Sequence, residues 1–454
     1  MRLGPTVKRH LRVPFFLLAR HNVIIMPLPL IPNHPQRLAL HNEIHARPPE
    51  AMQAPLAVSH IVMVCTAQER EASRAHLAVL LRDHHLPVPD AELIHVRLDL
   101  GLFRLRWEMH TEFIAWTFSR AVSADGFGNH EPATALQEVP QAWLAGLPGQ
   151  CLAKMHLWLM PSPSFANQSL VKHVLREETL VASTVADGHG EVYSDFVVHA
   201  DGFSRMVFLA GSMTPRRMGR LVQQLLEIET YRMAALLGLP AAREATAILA
   251  FAENELAQLA NAIRTASRAD EPLLLDRLTQ LAGQVESQYA ATHSRFSASA
   301  AYFELIDKRI ADMAESRLAG LQTFGEFMDR RLSPARSTCQ WAARRQDALS
   351  QRVSRMSNLL RTRVEIEQQQ SSQALLATMN DRQGVQLKLQ STVEGLSVAA
   401  ITYYIVGLVS YLAKGAQTLG WPLSPETSAA LAIPVVLVGV WWSLRRMHRR
   451  LFKA

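Results

Sequence analysis

Two imidazoles and a carboxylate occupy alternate positions near the start of the chain. The segment reads His41-Asn42-Glu43-Ile44-His45, and Arg47 follows two positions later. In an extended strand, side chains two positions apart share one face, so His41, Glu43 and His45 would converge. Such a set of side chains suits zinc or non-haem iron. The segment therefore raises the hypothesis of a metal site and, with it, of a metal-dependent enzyme.

The same side chains also have a structural interpretation. They can cap backbone groups where a leader meets the first domain, with Arg47 paired to a carboxylate. Pro48-Pro49 favours extended backbone immediately afterwards, which is typical of a loop. In a helix, His41 and His45 would still share a face, but Glu43 would not. Both interpretations stay open at this point.

A second group of polar residues alternates along a predicted strand. These side chains would project from one face, and they are Arg104, Arg106, Glu108, His110 and Glu112. Leu105, Trp107 and Met109 would occupy the other face. The polar face is compatible with a solvated sheet surface crossed by ion pairs. It is also compatible with a buried charged groove for a small anion or a partner loop, or with a catalytic site.

Several common catalytic and cofactor motifs are absent from the sequence. It contains no phosphate loop of the Walker type, no Gly-x-Ser-x-Gly elbow and no Cys-x-x-Cys pair. Gly126-Phe127-Gly128 is only a short fragment of a dinucleotide fingerprint. We therefore expect no cofactor, and a binding protein more readily than an enzyme.

The polar segments belong to a predicted α+β domain over residues 34–212. Runs rich in β-branched and aromatic residues predict strands at 57–65, 92–100, 102–109, 112–118, 151–160, 192–199 and 203–209. A helical segment at 67–84 separates the first two strands, as in a β-α-β unit. Later runs follow one another across short turns such as Asp201-Gly202, so part of the sheet is expected to be antiparallel.

From residue 213 to 394 the pattern becomes helical and predicts a coiled-coil-like stalk. Thr214 can cap the first helix with Pro215 at its first position, and Gly238-Leu239-Pro240 can end it. Pro272 and Pro334 would divide the remainder into three long helices. Apolar residues spaced by three and four favour helical packing or coiled-coil pairing, and they include Ile306, Ile310, Met313, Leu349, Val353, Met356 and Leu360. A homo-oligomer formed through this stalk is the expected assembly.

Two uncharged segments predict a transmembrane hairpin over residues 395–444. Residues 395–413 and 427–444 carry no formal charge. At about 1.5 Å per residue each helix is about 27 Å long, close to the hydrocarbon thickness of about 30 Å. Trp441 and Trp442 end the second segment, where interfacial aromatic residues belong. Because no break separates residues 338 and 395, the stalk and the first membrane helix should form one continuous helix.

The distribution of charge predicts the orientation of this hairpin. The tail 445–454 carries Arg445, Arg446, Arg449, Arg450 and Lys453, whereas the connection 414–426 carries only Lys414. The positive-inside rule then places the tail, and everything before residue 395, in the cytoplasm of a bacterial cell. We therefore expect the inner membrane, with anionic lipid rather than nucleic acid as the partner of the basic residues. Reduced cysteines fit this compartment, and they are Cys65, Cys151 and Cys339.

Residues 1–33 are set apart as a leader. Basic residues precede a short apolar run at 13–19, which resembles a secretory signal, but Arg20-His21 interrupts it. A secretory signal needs an uninterrupted apolar region of about 7–15 residues and a cleavage site. We expect a disordered leader, or translation that begins at Met26.

Three stretches carry a family resemblance. They lie at 34–49, 106–113 and 226–233, and they include His41-Asn42-Glu43-Ile44-His45, Arg106-Trp107-Glu108-Met109 and Glu227-Ile228-Glu229-Thr230. They resemble the signatures of a bacterial family of uncharacterised membrane-anchored proteins, domain of unknown function 3422 (DUF3422). The resemblance runs from about residue 34 to the end of the chain. It implies a cytoplasmic domain with a C-terminal anchor, and it implies no activity.

The predicted arrangement also resembles the CorA-type magnesium channels, in which an N-terminal α/β domain and long stalk helices precede a C-terminal hairpin. Those channels carry Gly-Met-Asn where the first membrane helix leaves the bilayer, whereas this chain reads Tyr411-Leu412-Ala413-Lys414-Gly415-Ala416. A ring of Lys414 side chains would repel cations. We therefore expect a membrane-anchored interaction or scaffold protein with an unknown cytoplasmic protein partner. An oligomeric ion channel or transporter is the alternative.

Overall fold

The computed structural model describes residues 33–38, 40–41, 48–90, 93–123, 132–161, 165–267, 269–417, 420 and 422–451. Contacts between residues divide the chain into two compact units. The first unit comprises the chain up to Gly238 together with Ala298–Ser337, and the second comprises Leu239–Ser297 and the chain from Thr338 onward. A sheet with flanking helices forms the first unit and long helices form the second, so the fold is α+β.

The described residues of the first unit form one nine-stranded sheet. Its strands are β1 Leu56–Val64, β2 His95–Asp99, β3 Arg104–Met109, β4 Phe113–Ala121, β5 Gln150–Met160, β6 Val181–Val185, β7 Gly190–Ser194, β8 Ser204–Ala210 and β9 Ser316–Arg317. Their order across the sheet is β2-β3-β4-β1-β5-β8-β7-β6-β9. The pair β5–β8 is parallel and the other strand pairs are antiparallel. The expectation of a partly antiparallel sheet is therefore confirmed.

One face of the sheet is covered by the helices α1 Ala67–Asp83, α2 Gln141–Ala145 and α3 Phe165–Val174. A capping box starts α1, because Thr66 Oγ1 accepts from the backbone N–H of Glu69 and the Glu69 carboxylate accepts from that of Thr66. The core beneath α1 and α2 is rich in aromatic side chains, including Trp107, Trp116, Phe118 and Trp143. Trp107 and Leu105 thus lie on the apolar face that their alternation predicts.

The opposite face of the sheet is covered by helix α4, Pro215–Leu236. Its hydroxyl and carboxylate side chains reach the strands beneath, since Thr230 hydrogen-bonds His60 of β1 and Glu229 hydrogen-bonds Ser204 of β8. The sheet therefore lies between two helical layers. This face carries most of the buried polar residues on which the candidate site is built.

The start of α4 follows the predicted chemistry. Thr214 Oγ1 accepts from the backbone N–H of Arg217, and Pro215 is the first helical residue. The helix ends at Leu236, two residues before the predicted stop signal, and helix α5 Gly238–Thr265 starts where that signal begins. Pro240 lies in the first turn of α5, where its missing N–H costs little.

Two predictions about the strands were wrong. The segment between β1 and β2 does not make a parallel β-α-β unit, because β3 and β4 lie between these strands and every pair in that row is antiparallel. The strand expected at 192–199 ends at Ser194. Beyond it, the Asp195 carboxylate accepts from the backbone N–H groups of Arg176 and Val197 and so holds an irregular loop.

The second unit contains α5, the larger part of α6 Glu271–Asp312, most of α7 Phe324–Gln417, and α8 Pro425–Leu451. Its core joins α5, α6 and α7 through buried side chains such as Leu249, Leu259, Leu278 and Leu281. The predicted apolar stripe of α7 lies in this core, since Leu349, Val353 and Leu360 are buried and Met356 packs against them. Up to residue 360 this stripe is therefore covered by helices of the same chain.

Helix α7 is continuous over 94 residues, which confirms the prediction of an unbroken helix from residue 338 past residue 395. Pro334 was expected to separate two helices, and that prediction was wrong, because Pro334 lies inside α7. Met328, Leu332 and Ala335 are buried on both sides of it. Their packing offsets the cost of about 3 kcal/mol that a proline imposes inside a helix.

Three helices of the described chain are long and apolar enough to span a membrane. They are Pro215–Thr265, Phe324–Gln417 and Pro425–Arg446. In the most apolar window of each, 33%, 11% and 0% of the residues are buried, respectively. The first of these helices thus places part of its apolar surface inside the protein, whereas the other two leave theirs exposed.

Candidate ligand-binding site

Strand β3 carries alternate polar residues, as predicted, and its polar face is buried. Arg106 and Glu108 are each 7% exposed, and Arg106 Nη2 donates to Glu108 Oε1 at 2.6 Å. In the sheet, Arg106 lies opposite Arg97 of β2 and Thr117 of β4. Helix α4 covers this position, because Arg106 Nη1 lies 3.5 Å from Gln223 Oε1. The pair Arg106–Glu108 therefore belongs to an interior polar site and not to a solvated surface.

Arg104, at the start of β3, lies at the edge of this site. Its side chain is about half exposed, and it contacts Asp99 at 3.2 Å and Glu50 at 3.5 Å. It shares the face of Arg106 and Glu108, as predicted, but it meets solvent.

The remaining two residues of the predicted face do not lie on the strand. Strand β3 ends at Met109, and His110 and Glu112 occupy the turn to β4, which the backbone N–H of His110 closes by donating to Phe113 O. The alternation of a strand cannot continue through such a tight turn. The His110 ring stacks on Phe113 with 4.5 Å between centroids, and Glu112 Oε2 accepts from the Tyr302 hydroxyl at 2.9 Å.

Two cavities adjoin Arg106 between the sheet and α4. The first has a volume of about 300 Å³ and is lined by residues of β2, β3, β4 and α4 together with Glu50 and Met52. The second has a volume of about 270 Å³, lies towards β1 and is also lined by Arg309 of α6. Arg106, Thr117, Gln223 and Leu226 line both cavities.

His60 of β1 forms the floor of the second cavity. Its Nε2 lies 3.0 Å from Thr230 Oγ1, and its Nδ1 lies 2.8 Å from Thr117 Oγ1. Thr230 donates its hydroxyl proton to Leu226 O, so it must accept from His60 Nε2–H. Thr117 then donates to Nδ1, because a neutral imidazole carries one proton. Burial, with Arg106 and His110 as nearby charges, lowers the pKa of His60 from 6.5 to about 3.

The wall of the second cavity is an ion-paired group from α4 and α6. The Glu227 carboxylate accepts from Arg309 Nε and, at 2.8 Å, from Gln223 Nε2. Tyr231 lies beside it and stacks on Tyr302 with 5.7 Å between ring centroids. Burial, followed by the charge of Glu227, raises the pKa of Tyr231 to about 12. The tyrosine hydroxyl therefore stays protonated at neutral pH.

These groups hold charge and hydrogen bonds in fixed positions. His60 is neutral with both ring nitrogens bonded, and the carboxylates of Glu108 and Glu227 are paired with arginines. A general base needs a free, basic group within reach of a substrate proton. The described lining of these cavities is therefore arranged for binding more than for acid–base chemistry.

The predicted metal segment lies largely outside the described residues. His41 is exposed in a helical turn, whereas Asn42, Glu43, His45 and Arg47 fall outside the described chain. Among the residues that the structure describes, no group of three or more His, Cys, Asp or Glu side chains could hold a metal ion. The hypothesis of a metal site at His41, Glu43 and His45 stays a prediction.

Sequence reasoning named Arg104, Arg106, Glu108 and His110, which line these cavities, and it missed other lining residues. The missed polar residues include Glu50, His60, Arg97, Asp99, Thr117, Ser119, Gln223, Glu227, Thr230, Tyr231 and Arg309. A signal existed for His60, because a polar residue in the apolar strand LAVSHIVMV is unusual for a buried strand. Its partner Thr230 lies 170 positions away, and local patterns carry no information about such pairs.

Two of the three stretches that carry the family resemblance meet at these cavities, since Arg106 and Glu108 come from one and Glu227, Thr230 and Tyr231 from another. No curated protein and no solved structure matches the chain. Residues 32–451 match the model of a family described as a protein of unknown function, DUF3422. That match covers well over half of the chain, and the chain therefore belongs to the DUF3422 family.

Proposed function

We propose that the chain is a membrane-anchored protein that acts by binding, with a C-terminal hairpin of the end of α7 and α8 as its anchor. The observation that carries the proposal is exposed apolar surface in these two helices. In the apolar windows of α7 and α8, only 11% and 0% of the residues are buried by the chain. Exposed apolar surface of this extent is unfavourable in water and favourable in a bilayer.

The ends of the hairpin support the same proposal. The Arg445 guanidinium lies 4.7 Å from the ring centroid of Trp441, and that of Arg446 lies 5.2 Å from Trp442. Tryptophan and arginine side chains favour the headgroup region at the edge of a bilayer. With the basic residues at this end, the positive-inside rule favours a cytoplasmic location for the tail and for the first unit.

The helix Pro215–Thr265 is not part of the proposed anchor. Its α4 segment is buried against the sheet through Val222, Leu225 and Ile228, each of which is fully buried. A helix that contributes to a soluble core in this way does not need lipid to cover its apolar face.

Self-association through the stalk extends the proposal. Between residues 361 and 395 almost every residue of α7 is exposed, including Leu375, Met379, Leu389 and Val393. Most helical stability in proteins comes from packing against other elements. The described residues of the chain cover little of this segment beyond the ion pair of Arg363 with Glu271. A second copy of the stalk would supply such packing, which favours an oligomeric scaffold.

The experiment compares the full-length chain with a chain that ends at Glu394. We expect alkaline washing to leave the full-length chain in the membrane fraction and to release the shorter one. The oligomeric mass is then measured for the full-length chain in detergent and for the shorter chain in buffer. An oligomer that persists without residues 395–454 supports the scaffold.

Other outcomes contradict the proposal. Release of the full-length chain by alkali would exclude the anchor. A ring of four to six subunits that forms only with the membrane helices would favour the channel, whereas a monomer would exclude both the scaffold and a pore.

A further inference from the structure

Two arginines face each other across neighbouring strands in the first cavity. Arg97 of β2 and Arg106 of β3 are directly opposite in the antiparallel register. Like charges at directly opposite positions destabilise a sheet. Burial, and then the charge of Arg106, lowers the pKa of Arg97, although Glu50 and Glu108 act in the other direction. Arginine stays charged at neutral pH all the same. The sheet therefore holds two guanidinium groups side by side, of which Arg106 is paired with Glu108 and Arg97 has no ion pair among the described residues.

Each of these guanidinium groups keeps an N–H that no described residue accepts. Arg106 Nε and Arg97 Nε are both buried, and neither has a hydrogen-bond partner among the residues that the structure describes. The Arg106 side chain is only 8% exposed. A buried donor without an acceptor is costly, and more so when it is charged. The acceptors for these two N–H groups are therefore expected from something that enters the cavity.

The carboxylates near the cavity are directed to other donors. Glu50 and Asp99, which line it, contact Arg104 at its edge. Glu108 accepts from Arg106 Nη2, and among the described residues neither of its oxygens accepts from Arg106 Nε. Arg97 Nη2 donates to the backbone carbonyl of Pro48, a neutral acceptor. No described carboxylate thus hydrogen-bonds to Arg97.

The shape of the cavity limits what can enter. Its volume of about 300 Å³ is at the small end of the range of about 300–1,000 Å³ that small-molecule sites occupy. The Ser119 hydroxyl adds a polar group, and Met52 and Leu226 add apolar surface. Such a site has room for a small molecule or for a single group of a larger one.

We propose that this cavity, between β2, β3, β4 and α4, binds a small oxyanion, a carboxylate or a phosphate group, between Arg97 and Arg106. The planar guanidinium fork matches the geometry of both groups and bonds them more strongly than neutral acceptors. The bound anion would accept from the free Nε–H groups and cancel the repulsion between the two arginines. The site depends on the first unit alone, so its test is independent of the membrane anchor.

The test uses full-length protein in nonionic detergent at constant ionic strength. Inorganic phosphate or succinate replaces sodium chloride, and the thermal unfolding midpoint and the binding isotherm are measured. We expect one of the two anions to raise the midpoint saturably above that in sodium chloride. A stronger response to phosphate identifies a phosphorylated ligand, and a stronger response to succinate identifies a carboxylic acid.

The variant Arg97→Gln separates an anion site from a structural arginine. We expect the anion to bind at least tenfold more weakly, because one charged hydrogen-bonding partner is lost. Without anion, we expect Arg97→Gln to unfold at a higher temperature than the wild type, because the repulsion is gone. The matched control is Arg82→Gln on the exposed side of α1, which removes the same charge and should behave as the wild type.

Specific results overturn the proposal. The proposal fails if neither phosphate nor succinate raises the unfolding midpoint above its value in sodium chloride. It also fails if the wild type and Arg97→Gln bind the anion with equal affinity. Should Arg97→Gln fail to fold, Arg97→Lys keeps the charge and the stem but loses the Nε–H, and it must still bind the anion several-fold more weakly. Unchanged affinity in that variant would contradict the proposal equally.

Discussion

His60 shows how one buried residue links the candidate site to the stability of the fold. It is neutral in the folded chain, with both ring nitrogens bonded to threonine hydroxyls of β4 and α4. Its pKa is about 3 when folded, against 6.5 for an exposed histidine. As the pH falls below 6.5, the unfolded chain takes up a proton that the folded chain does not. Stability is therefore lost progressively between pH 6.5 and pH 3.

The variant His60→Gln tests this account. Glutamine does not titrate, and its amide can replace the hydrogen bonds to the two threonines. Between pH 7 and pH 5 we expect the free energy of unfolding to fall by about 2 kcal/mol less in the variant than in the wild type. Chemical denaturation, followed by tryptophan fluorescence, measures it. In the control His173→Gln, at an exposed position of α3, the free energy of unfolding should fall by as much as in the wild type. An identical fall in all three proteins would refute the account.

At the residue scale, sequence reasoning reached only what a local pattern encodes. The alternation of β3 correctly placed Arg106 and Glu108 on one face. It did not reveal that the face is buried, because the cover comes from α4, more than 100 positions later. His110 and Glu112 were wrongly placed on the strand of Arg106, because the alternation was extended past Met109, where the predicted strand 102–109 already ended. His110 nevertheless lines the second cavity.

Helix α4 is the element that closes the site, and one glycine sets its distance from the chain beneath. A Cβ at Gly219 would lie 1.6 Å from the carbonyl oxygen of Glu50. The same segment is joined to the start of α4, where the backbone N–H of Met52 donates to Pro215 O at 3.0 Å. Glu50 and Met52 also line the first cavity. The close approach at Gly219 therefore positions part of the cavity wall.

We predict opposite effects for two glycine-to-alanine substitutions. Gly219→Ala should destabilise the protein by about 2 kcal/mol or more, because backbone must move to admit the methyl group. Gly283→Ala in α6 is the matched control, since its Cβ meets nothing within 4 Å. A helix-interior alanine at such a position stabilises by about 0.5–1 kcal/mol. Denaturant titration measures the change in the free energy of unfolding for each variant. No change in Gly219→Ala would contradict the close contact.

At the element scale, the sequence predicted what capping chemistry and helical spacing specify. The Thr214–Pro215 start of α4 and the unbroken run of α7 are both confirmed. The pairing of strands that are distant in the sequence could not be predicted from local patterns. Strand β9 has only two residues and pairs with β6 across more than 130 positions. No local signal identifies a strand that exists only because of its distant partner.

The whole molecule interleaves its two units along the chain. The first unit is interrupted at Gly238 and resumes at Ala298, so α6 and α7 each belong partly to both units. The sequence showed one helical region from residue 213, because helices in either unit have the same local pattern. The predicted domain boundaries at 212 and 394, and the leader 1–33, stay predictions. The proposed membrane hairpin rests on length and apolarity, which the sequence shows, and on exposure, which the structure shows.

The central claim is that the hairpin crosses the membrane and returns, and labelling of single cysteines tests it most directly. Leu423→Cys places a thiol in the connection between α7 and α8, and the exposed Cys151 of the first unit serves as the internal reference. Intact cells, with any outer membrane made permeable, are treated with a membrane-impermeant maleimide before and after lysis. We predict that the thiol at position 423 reacts in intact cells and that Cys151 reacts only after lysis. Protection of position 423 until lysis would contradict a spanning hairpin, and reaction of both thiols in intact cells would contradict a cytoplasmic first unit.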